Sequence, residues 1–159
     1  MRNRIPPRDR FLAQLSPPAR EKLLSLAESA RYSAGETIYR AGEASLHFYL
    51  VQEGQVALEI ALSSKARETL MTIGPGGVFG WPSLVEEGAA AASTRAVGEV
   101  EVLRIEGRGL RDLCVKEPQL GRELYHAVST ALSARLDAAG SQRGMTAPGR
   151  AAERLSRRS

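Results

Sequence analysis

One glycine-rich segment has the residue types that hold an anion through backbone groups. It runs from Gly74 to Val85 and follows a strand-like stretch. Glycine adopts positive φ readily and lets a ligand approach the main chain closely. Pro82, at the first position of a short turn, leaves the next backbone N–H groups, those of Ser83 and Leu84, free to bind a phosphate. The segment therefore predicts an anion-binding loop, and the alternative is an ordinary tight turn.

Two side chains near this segment could add to the binding of a ligand. Trp81 could stack on a planar ligand through its indole ring. It could equally fill the pocket, because a large apolar residue more often closes a polar site than rebuilds it. Arg95 is the only basic residue between Arg67 and Arg104, which makes it the best counter-charge for a ligand anion. The alternative for Arg95 is a solvated arginine on the face of a strand.

The segment resembles the phosphate-binding cassette of the cyclic-nucleotide-binding domain. That domain occurs in bacterial regulators of the catabolite-activator (CRP/FNR) superfamily and in protein kinase A regulatory subunits. The match lies in Phe79-Gly80, Ser83-Leu84 and Arg95-Ala96. The resemblance implies a cyclic nucleotide or another small anionic ligand, and no other cofactor. The candidate ligand-binding residues are Gly77, Phe79, Gly80, Trp81, Ser83, Leu84 and Arg95.

Two polar groups of the family's cassette have no counterpart in this sequence. The family has a glutamate directly after the Phe-Gly pair, which binds the ribose 2′-hydroxyl, and Trp81 stands at that position. The arginine that neutralises the cyclic phosphate falls at Ala90 or Ala91. Loss of one charge-assisted hydrogen bond costs about 1.5–3 kcal/mol. We therefore expect weak binding of cyclic AMP and cyclic GMP, if either binds.

The composition is that of an ordinary single domain. The chain has 159 residues, of which 43% are hydrophobic and 25% are charged. It has neither an apolar run long enough to span a bilayer nor the apolar region of a signal peptide, which predicts a cytoplasmic protein without membrane insertion. Cys114 is the single cysteine, which excludes an intramolecular disulfide and a cysteine-based zinc cluster.

The positive charge is concentrated at the two ends of the chain. The formal net charge is +4, yet residues 1–10 and 141–159 together hold nine arginines, so the chain between them is net negative. We expect a basic arm over 1–10, a domain over 11–139 and a disordered basic tail over 140–159. The tail is too short for a helix-turn-helix domain, so we expect no sequence-specific DNA binding.

Short strands separated by glycine turns precede two helices. This spacing is typical of an antiparallel sandwich or barrel. An N-terminal helix is expected from Ser16 to near Ala30, after a helical turn over 9–15. The predicted fold is mainly β with flanking α-helices. The resemblance makes it a double-stranded β-helix, or jelly-roll, barrel of the cyclic-nucleotide-binding type with N-terminal helices and a long C-terminal helix. The predicted strands cover residues 37–39, 47–51, 56–62, 69–73 and 100–105.

The long helix that opens at Pro118 carries an apolar stripe with one residue in every four. A stripe on a terminal helix that has left the barrel usually needs a partner. In the family that this chain resembles, the equivalent helix forms the dimer interface. A homodimer is therefore expected, and its candidate interface residues are Leu120, Leu124, Val128, Leu132 and Leu136.

No catalytic residue and no metal ligand is predicted. The sequence has no nucleophile elbow, P-loop or metal-ligand spacing, and His47 and His126 lack patterned partners. The predicted function is that of a non-catalytic sensor or regulatory protein whose ligand need not be cyclic AMP. The alternatives are a CRP/FNR-type transcriptional regulator that lacks its own DNA-binding domain, and a ligand-free dimeric interaction module. A partner protein and a nucleotide are the other candidate partners.

Overall fold

The computed structural model describes residues 5–85 and 88–142. The first four residues of the predicted basic arm lie outside this range, and so does most of the predicted tail. The helices are α1 (Arg10–Ala13), which follows a 3₁₀ turn (Pro7–Asp9), α2 (Pro17–Leu26), α3 (Gly107–Lys116) and α4 (Pro118–Gln142). The strands are β1 (Glu28–Tyr32), β2 (Thr37–Tyr39), β3 (His47–Glu53), β4 (Val56–Ala61), β5 (Arg67–Ile73), β6 (Val78–Phe79), β7 (Ser93–Ala96) and β8 (Val100–Glu106).

The strands form two antiparallel sheets. The first sheet has the order β1-β8-β3-β6 and the second has the order β2-β7-β4-β5. Apart from the hairpin of β4 and β5, neighbours in each sheet are not consecutive in the chain, because the chain crosses between the two sheets after most strands. This arrangement confirms the predicted jelly-roll fold with helices at both ends.

The first sheet is covered on both faces, and β3 shows how its side chains are divided. Phe48 and Leu50 point to the helices and join the core that α1, α2, α3 and α4 build. Tyr49 and Val51 point the other way, into the core between the two sheets. Because successive side chains of a strand face opposite sides, a strand that is buried on both faces has an unbroken apolar run.

The N-terminal helix is shorter than the sequence suggests. α2 begins as predicted, with the Ser16 hydroxyl accepting a hydrogen bond from the Ala19 N–H at 3.4 Å and proline in its first turn. α2 ends at Leu26, so the expected end near Ala30 is wrong. The next element is β1, which has five residues. β1 pairs along its whole length with β8, a strand far along the chain, and this long-range pairing overrides the local helical pattern.

α4 packs its apolar stripe largely on its own chain. Leu120, Leu124 and Val128 are 4%, 0% and 5% exposed and belong to the helical core. Leu132 is partly buried against the same core, and Leu136 is 73% exposed. The expectation that the stripe needs a partner outside the chain is therefore wrong for Leu120, Leu124 and Val128. α4 also extends to Gln142, past the predicted domain boundary at 139.

Candidate functional site

The cassette, residues 74–85, turns sharply after β6. Gly80 has φ +75°, in the left-handed region, and starts the 3₁₀ turn Trp81–Leu84. A Cβ atom placed on Gly80 would lie 2.4 Å from the His47 carbonyl oxygen and 2.8 Å from Cδ2 of Tyr49. Both the backbone conformation and the lack of space therefore demand glycine at this position.

Ser83 is completely buried, and its polar groups are used inside the protein. Its hydroxyl donates to the Gly80 carbonyl at 2.7 Å, and its N–H donates to the same oxygen at 3.1 Å. Its own carbonyl accepts a hydrogen bond from the Arg111 guanidinium at 2.5 Å. The Ser83 N–H is therefore not free to bind a ligand in this arrangement, contrary to the sequence-based expectation.

Three other candidate residues shape the cassette from within. Leu84 is 6% exposed and belongs to the helical core. Phe79 is fully buried and stacks on Tyr49, with ring centroids 4.5 Å apart and the rings within 1° of parallel. A Cβ atom on Gly77 would lie 2.3 Å from Cγ2 of Ile73, so this glycine permits a tight turn. None of the three presents a polar side chain to a ligand.

Arg95 lies on the outer face of the second sheet. Its Nε and Nη2 donate to the two carboxylate oxygens of Glu59 at 2.9 and 3.2 Å. Its neighbours on β7, Thr94 and Ala96, are fully buried and point inward. The hydrogen bonds from Arg95 lower the pKa of Glu59, against the opposing effect of burial. Of the two interpretations of Arg95, the strand-face arginine is the one found here, but it is paired rather than solvated.

The two alanines at the position of the family's phosphate-binding arginine supply no charge. Ala90 is 6% exposed, and its backbone N–H and carbonyl pair with the Glu43 carbonyl at 2.9 Å and the Gly42 N–H at 2.8 Å. Ala91 is exposed. Backbone pairing therefore fixes this limb of the cassette without any basic side chain.

Trp81 is in contact with an arginine that the sequence analysis did not select. The Arg135 guanidinium carbon of α4 lies 4.8 Å from the centroid of the indole ring, which is a cation–π contact. Arg135 also donates a hydrogen bond from Nη2 to the Val78 carbonyl of β6. Trp81 is half-buried and packs on both cores. The side chain thus fills space inside the protein and joins the cassette to α4.

Three polar side chains meet next to this contact, and we name Tyr39, Thr94 and Arg135 the interior polar cluster. Tyr39 and Thr94 are directly opposite each other on β2 and β7. The Thr94 hydroxyl and Nη1 of Arg135 are buried and have no hydrogen-bond partner among the residues that the structure describes. Burial raises the pKa of Tyr39, and the nearby Thr94 hydroxyl, Gly80 backbone and Arg135 charge oppose that shift.

Arg135 forms no ion pair with an acidic side chain among the residues that the structure describes. Desolvation lowers its pKa from the ordinary value, although it stays protonated as arginine does in proteins. A positional signal for Arg135 was present in the sequence, since it lies seven residues after Val128 and four after Ala131, on the inward face of α4. Thr94 has a weaker signal, namely the same strand parity as the buried Ala96.

A surface cleft of about 430 Å³ lies beside the cassette. Its lining includes His47, Glu106, Arg108 and Arg111, together with apolar side chains that are exposed. Burial lowers the pKa of His47. Within residues 5–85 and 88–142, no group of three or more His, Cys, Asp or Glu side chains is placed to hold a metal ion. No helix in those ranges is both long and apolar enough to cross a membrane.

Comparison with known proteins decides the family. The family model of the cyclic nucleotide-binding domain matches residues 29–117, which is more than half of the chain. This chain belongs to the cyclic nucleotide-binding domain family. The match covers all eight strands except the first residue of β1, and it includes the cassette and α3.

Individual relatives support the same assignment. The cyclic AMP receptor protein of Thermus thermophilus is 34% identical over 91 residues, which are 57% of this chain and 42% of that protein. The cAMP-dependent protein kinase regulatory subunit of Emericella nidulans is 29% identical over 103 residues, which are 65% of this chain and 24% of that protein. The chain therefore spans less than half the length of either relative.

A solved structure shares both fold and sequence with this chain. The crystal structure of a cyclic nucleotide-binding family protein from Geobacter metallireducens superposes with a TM-score of 0.71 at 28% identity. The superposition covers 80% of this chain and 92% of that one. Together with the jelly-roll sheets, these matches place the chain among the CRP/FNR-like domains. Among the residues that the structure describes, α4 is the last element, and no helix-turn-helix unit follows it there.

Proposed function

We propose that this chain is a non-catalytic sensor or regulatory domain that passes the state of its cassette to α4. The relatives support a regulatory role, since one is a cyclic AMP receptor and another is the regulatory subunit of a kinase. The observation that carries the proposal is the double contact of Arg135 with Trp81 and Val78. It joins the last helix directly to the segment that holds ligands in this family.

The distribution of burial along α4 supports a helix with a fixed half and an adjustable half. Leu124 and Val128 anchor the first half in the helical core, where they are 0% and 5% exposed. Beyond Leu132, the side chain of Leu136 is 73% exposed, whereas Arg135 contacts Trp81 and the Val78 carbonyl. A ligand that binds the two arrangements of this half with unequal affinity would shift their populations.

The cassette itself suggests that the ligand need not be cyclic AMP. Trp81 and Ala90 leave it without the carboxylate and the arginine that the family uses. Arg95 does not replace that arginine, because its guanidinium pairs with Glu59 on the outer face of the sheet. Among the described residues, Arg111 and Arg135 are the basic side chains that hydrogen-bond to carbonyl groups of the cassette.

The test uses Arg135→Gln with Arg122→Gln as its matched control. Arg122 is an exposed arginine on the same helix. In hydrogen–deuterium exchange, we expect Arg135→Gln to raise exchange over residues 129–137 while β3 stays protected. Because Trp81 is the only tryptophan, its fluorescence should also shift to the red as the indole gains water. Arg122→Gln should change neither. Unchanged exchange over 129–137 in Arg135→Gln would contradict the coupling.

The filled pocket favours a second candidate, a ligand-free dimeric interaction module. Trp81 packs on both cores, and the Arg135 guanidinium covers one face of its ring. In that case no nucleotide should raise the melting temperature, and the dimer would use the exposed part of α4 around Leu136.

A transcriptional regulator that acts through a separate DNA-binding protein remains an alternative form of the same proposal. A cytoplasmic location suits the free thiol of Cys114.

A further inference from the structure

An apolar groove lies on the surface of the N-terminal helices, and no residue of the cassette lines it. It has a volume of about 560 Å³ and lies between residues 5–13 and α2. Its apolar lining consists of Ile5, Pro6, Leu12, Ala13 and Leu24. The family model begins at residue 29, so the groove is outside the part of the chain that matches the cyclic nucleotide-binding domain.

The walls of the groove are fixed by the core beneath them. Phe11 and Leu23 are both 2% exposed and anchor α1 and α2 in the helical core. Arg20 ties the two helices together, because its Nε and Nη2 donate to the Leu12 and Leu15 carbonyls at 3.1 and 3.2 Å. The groove is therefore formed in the free chain, which lowers the entropic cost of filling it.

Two large apolar side chains of the groove remain in contact with water. Ile5 is 51% exposed and Leu24 is 38% exposed. An exposed apolar patch with a charged border is typical of a site that binds another protein. Removal of this apolar surface from water would supply a favourable term in association.

The residues that flank the groove are mainly basic. Arg8 and Arg10 lie on either side of Asp9, which is part of the lining, and both arginines are exposed. Neither forms an ion pair with any residue that the structure describes. Residues 1–26 contain five arginines and one lysine against one aspartate and one glutamate, which is a net charge of +4. Residues 27–140 have a net charge of −4, so the positive charge is a property of this segment and not of the barrel.

Other occupants fit this surface less well than an acidic protein segment. The end of the chain, residues 141–159, has a net charge of +4 and is repelled by a surface of the same sign. A two-fold contact between two copies of the groove would bring the arginines of both copies together, since such an interface pairs a patch with itself. A helix that lies on a bilayer turns its apolar face outward, whereas α1 and α2 bury theirs in the helical core.

We propose that this groove binds an acidic amphipathic segment of a partner protein. Its apolar side chains would lie against Leu12 and Leu24, and its carboxylates would face Arg8 and Arg10. The surface is separate from the cassette and from the contact of Trp81 with α4. The inference therefore goes beyond the proposed function and does not depend on it.

The experiment measures the binding of two synthetic amphipathic helical peptides to the intact chain by fluorescence anisotropy. The peptides have equal length and a leucine face, and their polar face carries glutamate in one and lysine in the other. We expect saturable binding of the glutamate peptide. The lysine peptide should bind about tenfold more weakly, because it brings like charges together.

Variants assign the binding to the groove. Leu24→Glu should weaken binding of the glutamate peptide about tenfold, because it places a charge in the apolar contact. Leu62→Glu is the matched control, since Leu62 is 63% exposed in the turn between β4 and β5, and it should change nothing. Arg10→Glu should weaken the glutamate peptide several-fold and strengthen the lysine peptide, whereas Arg40→Glu, at an exposed arginine far from the groove in sequence, should do neither. Melting curves verify the fold of each variant, and Arg10→Glu gives the result if Leu24→Glu does not fold.

Three outcomes would overturn the inference. The first is that the glutamate peptide binds no more tightly than the lysine peptide, or binds Leu24→Glu and Arg10→Glu as well as the wild type. The second is that vesicles of phosphatidylglycerol, but not of phosphatidylcholine, bind the groove while the glutamate peptide does not, which would assign the surface to a membrane. The third is a dimeric wild type that Leu24→Glu converts to a monomer in light scattering, which would mean that a second copy fills the groove. Hydrogen exchange over residues 129–137 in Arg135→Gln tests the coupling of cassette and α4 separately, so the two proposals fail independently.

Discussion

Replacement of Gly80 by alanine tests how tightly the cassette is built against β3. Gly80 and Gly42 both have positive φ, +75° and +89°. A Cβ atom at Gly42 would meet nothing within 4 Å, whereas one at Gly80 would lie 2.4 Å from the His47 carbonyl oxygen. The pair therefore separates the cost of the backbone conformation from the cost of the missing space.

The magnitudes follow from these two terms. The left-handed conformation costs a non-glycine residue about 1–2 kcal/mol, which applies to both variants. Overpacking adds about 1–3 kcal/mol, and only Gly80→Ala incurs it, because a backbone oxygen and the Tyr49 ring must move. We expect the free energy of unfolding to fall by about 1–2 kcal/mol in Gly42→Ala and about 2–5 kcal/mol in Gly80→Ala.

Urea denaturation, followed by circular dichroism and by Trp81 fluorescence, measures both values. Gly80→Ala should also change the emission of folded Trp81, the next residue, whereas Gly42→Ala should not. Equal losses of stability in the two variants would refute the reasoning, since they would show that the close approach of cassette and β3 does not exist in solution. A loss confined to the fluorescence signal would point to local rather than global unfolding.

Three further predictions concern the Glu59–Arg95 ion pair, the exposed end of α4 and the affinity for cyclic nucleotides. Glu59→Gln should reduce the fall in the free energy of unfolding that the wild type shows as the pH is lowered. Arg95 lowers the pKa of Glu59, so the stabilisation from the Glu59 carboxylate is present above the ordinary value of 4.5 and is lost as the pH falls through the lowered value. Urea titrations at several pH values measure this, and equal slopes for both proteins would contradict it. In light scattering, Leu136→Glu should convert the expected homodimer to a monomer without loss of stability. Val128→Glu should unfold the protein, because Val128 lies in the chain's own core. A wild type that is monomeric at micromolar concentration would rule out the dimer. Calorimetry should give dissociation constants for cyclic AMP and cyclic GMP no tighter than roughly high micromolar, because the cassette lacks the family's glutamate and arginine; a low-micromolar value for either nucleotide would contradict this prediction.

The strands and the cassette could be predicted because their signals are local. An unbroken apolar run marks β3, alternating apolar residues mark β4 and β8, and the Phe79-Gly80 pair marks the cassette. β1 has no such signal. It is fixed by β8, in part through ion pairs of Glu28 with Arg104 and of Arg31 with Glu101. Partners so distant along the chain cannot be recognised from the pattern of five residues.

The candidate site was harder to predict because its polar groups come from separate elements. Arg95 has the right charge and lies close to the cassette in sequence, but strand parity places it on the outer face of the sheet, beside Glu59 of β4. Arg135 lies 54 residues after Trp81 and reaches it only because α4 folds back over the barrel. A four-residue stripe predicts which face of α4 is buried but not whether its own chain or a second copy covers it.

The Trp81 ring determines which part of the Arg135 guanidinium is used in their contact. A carboxylate at position 81, as in the resembled cassette, would pair with a guanidinium above it and use its edge donors. An indole instead binds the face of the guanidinium and leaves those donors available. Among the described residues, Nη1 of Arg135 is a donor that has no hydrogen-bond partner. The indole at position 81 and the arginine on α4 are thus two parts of one arrangement, in which a ring of the cassette holds the guanidinium of the helix.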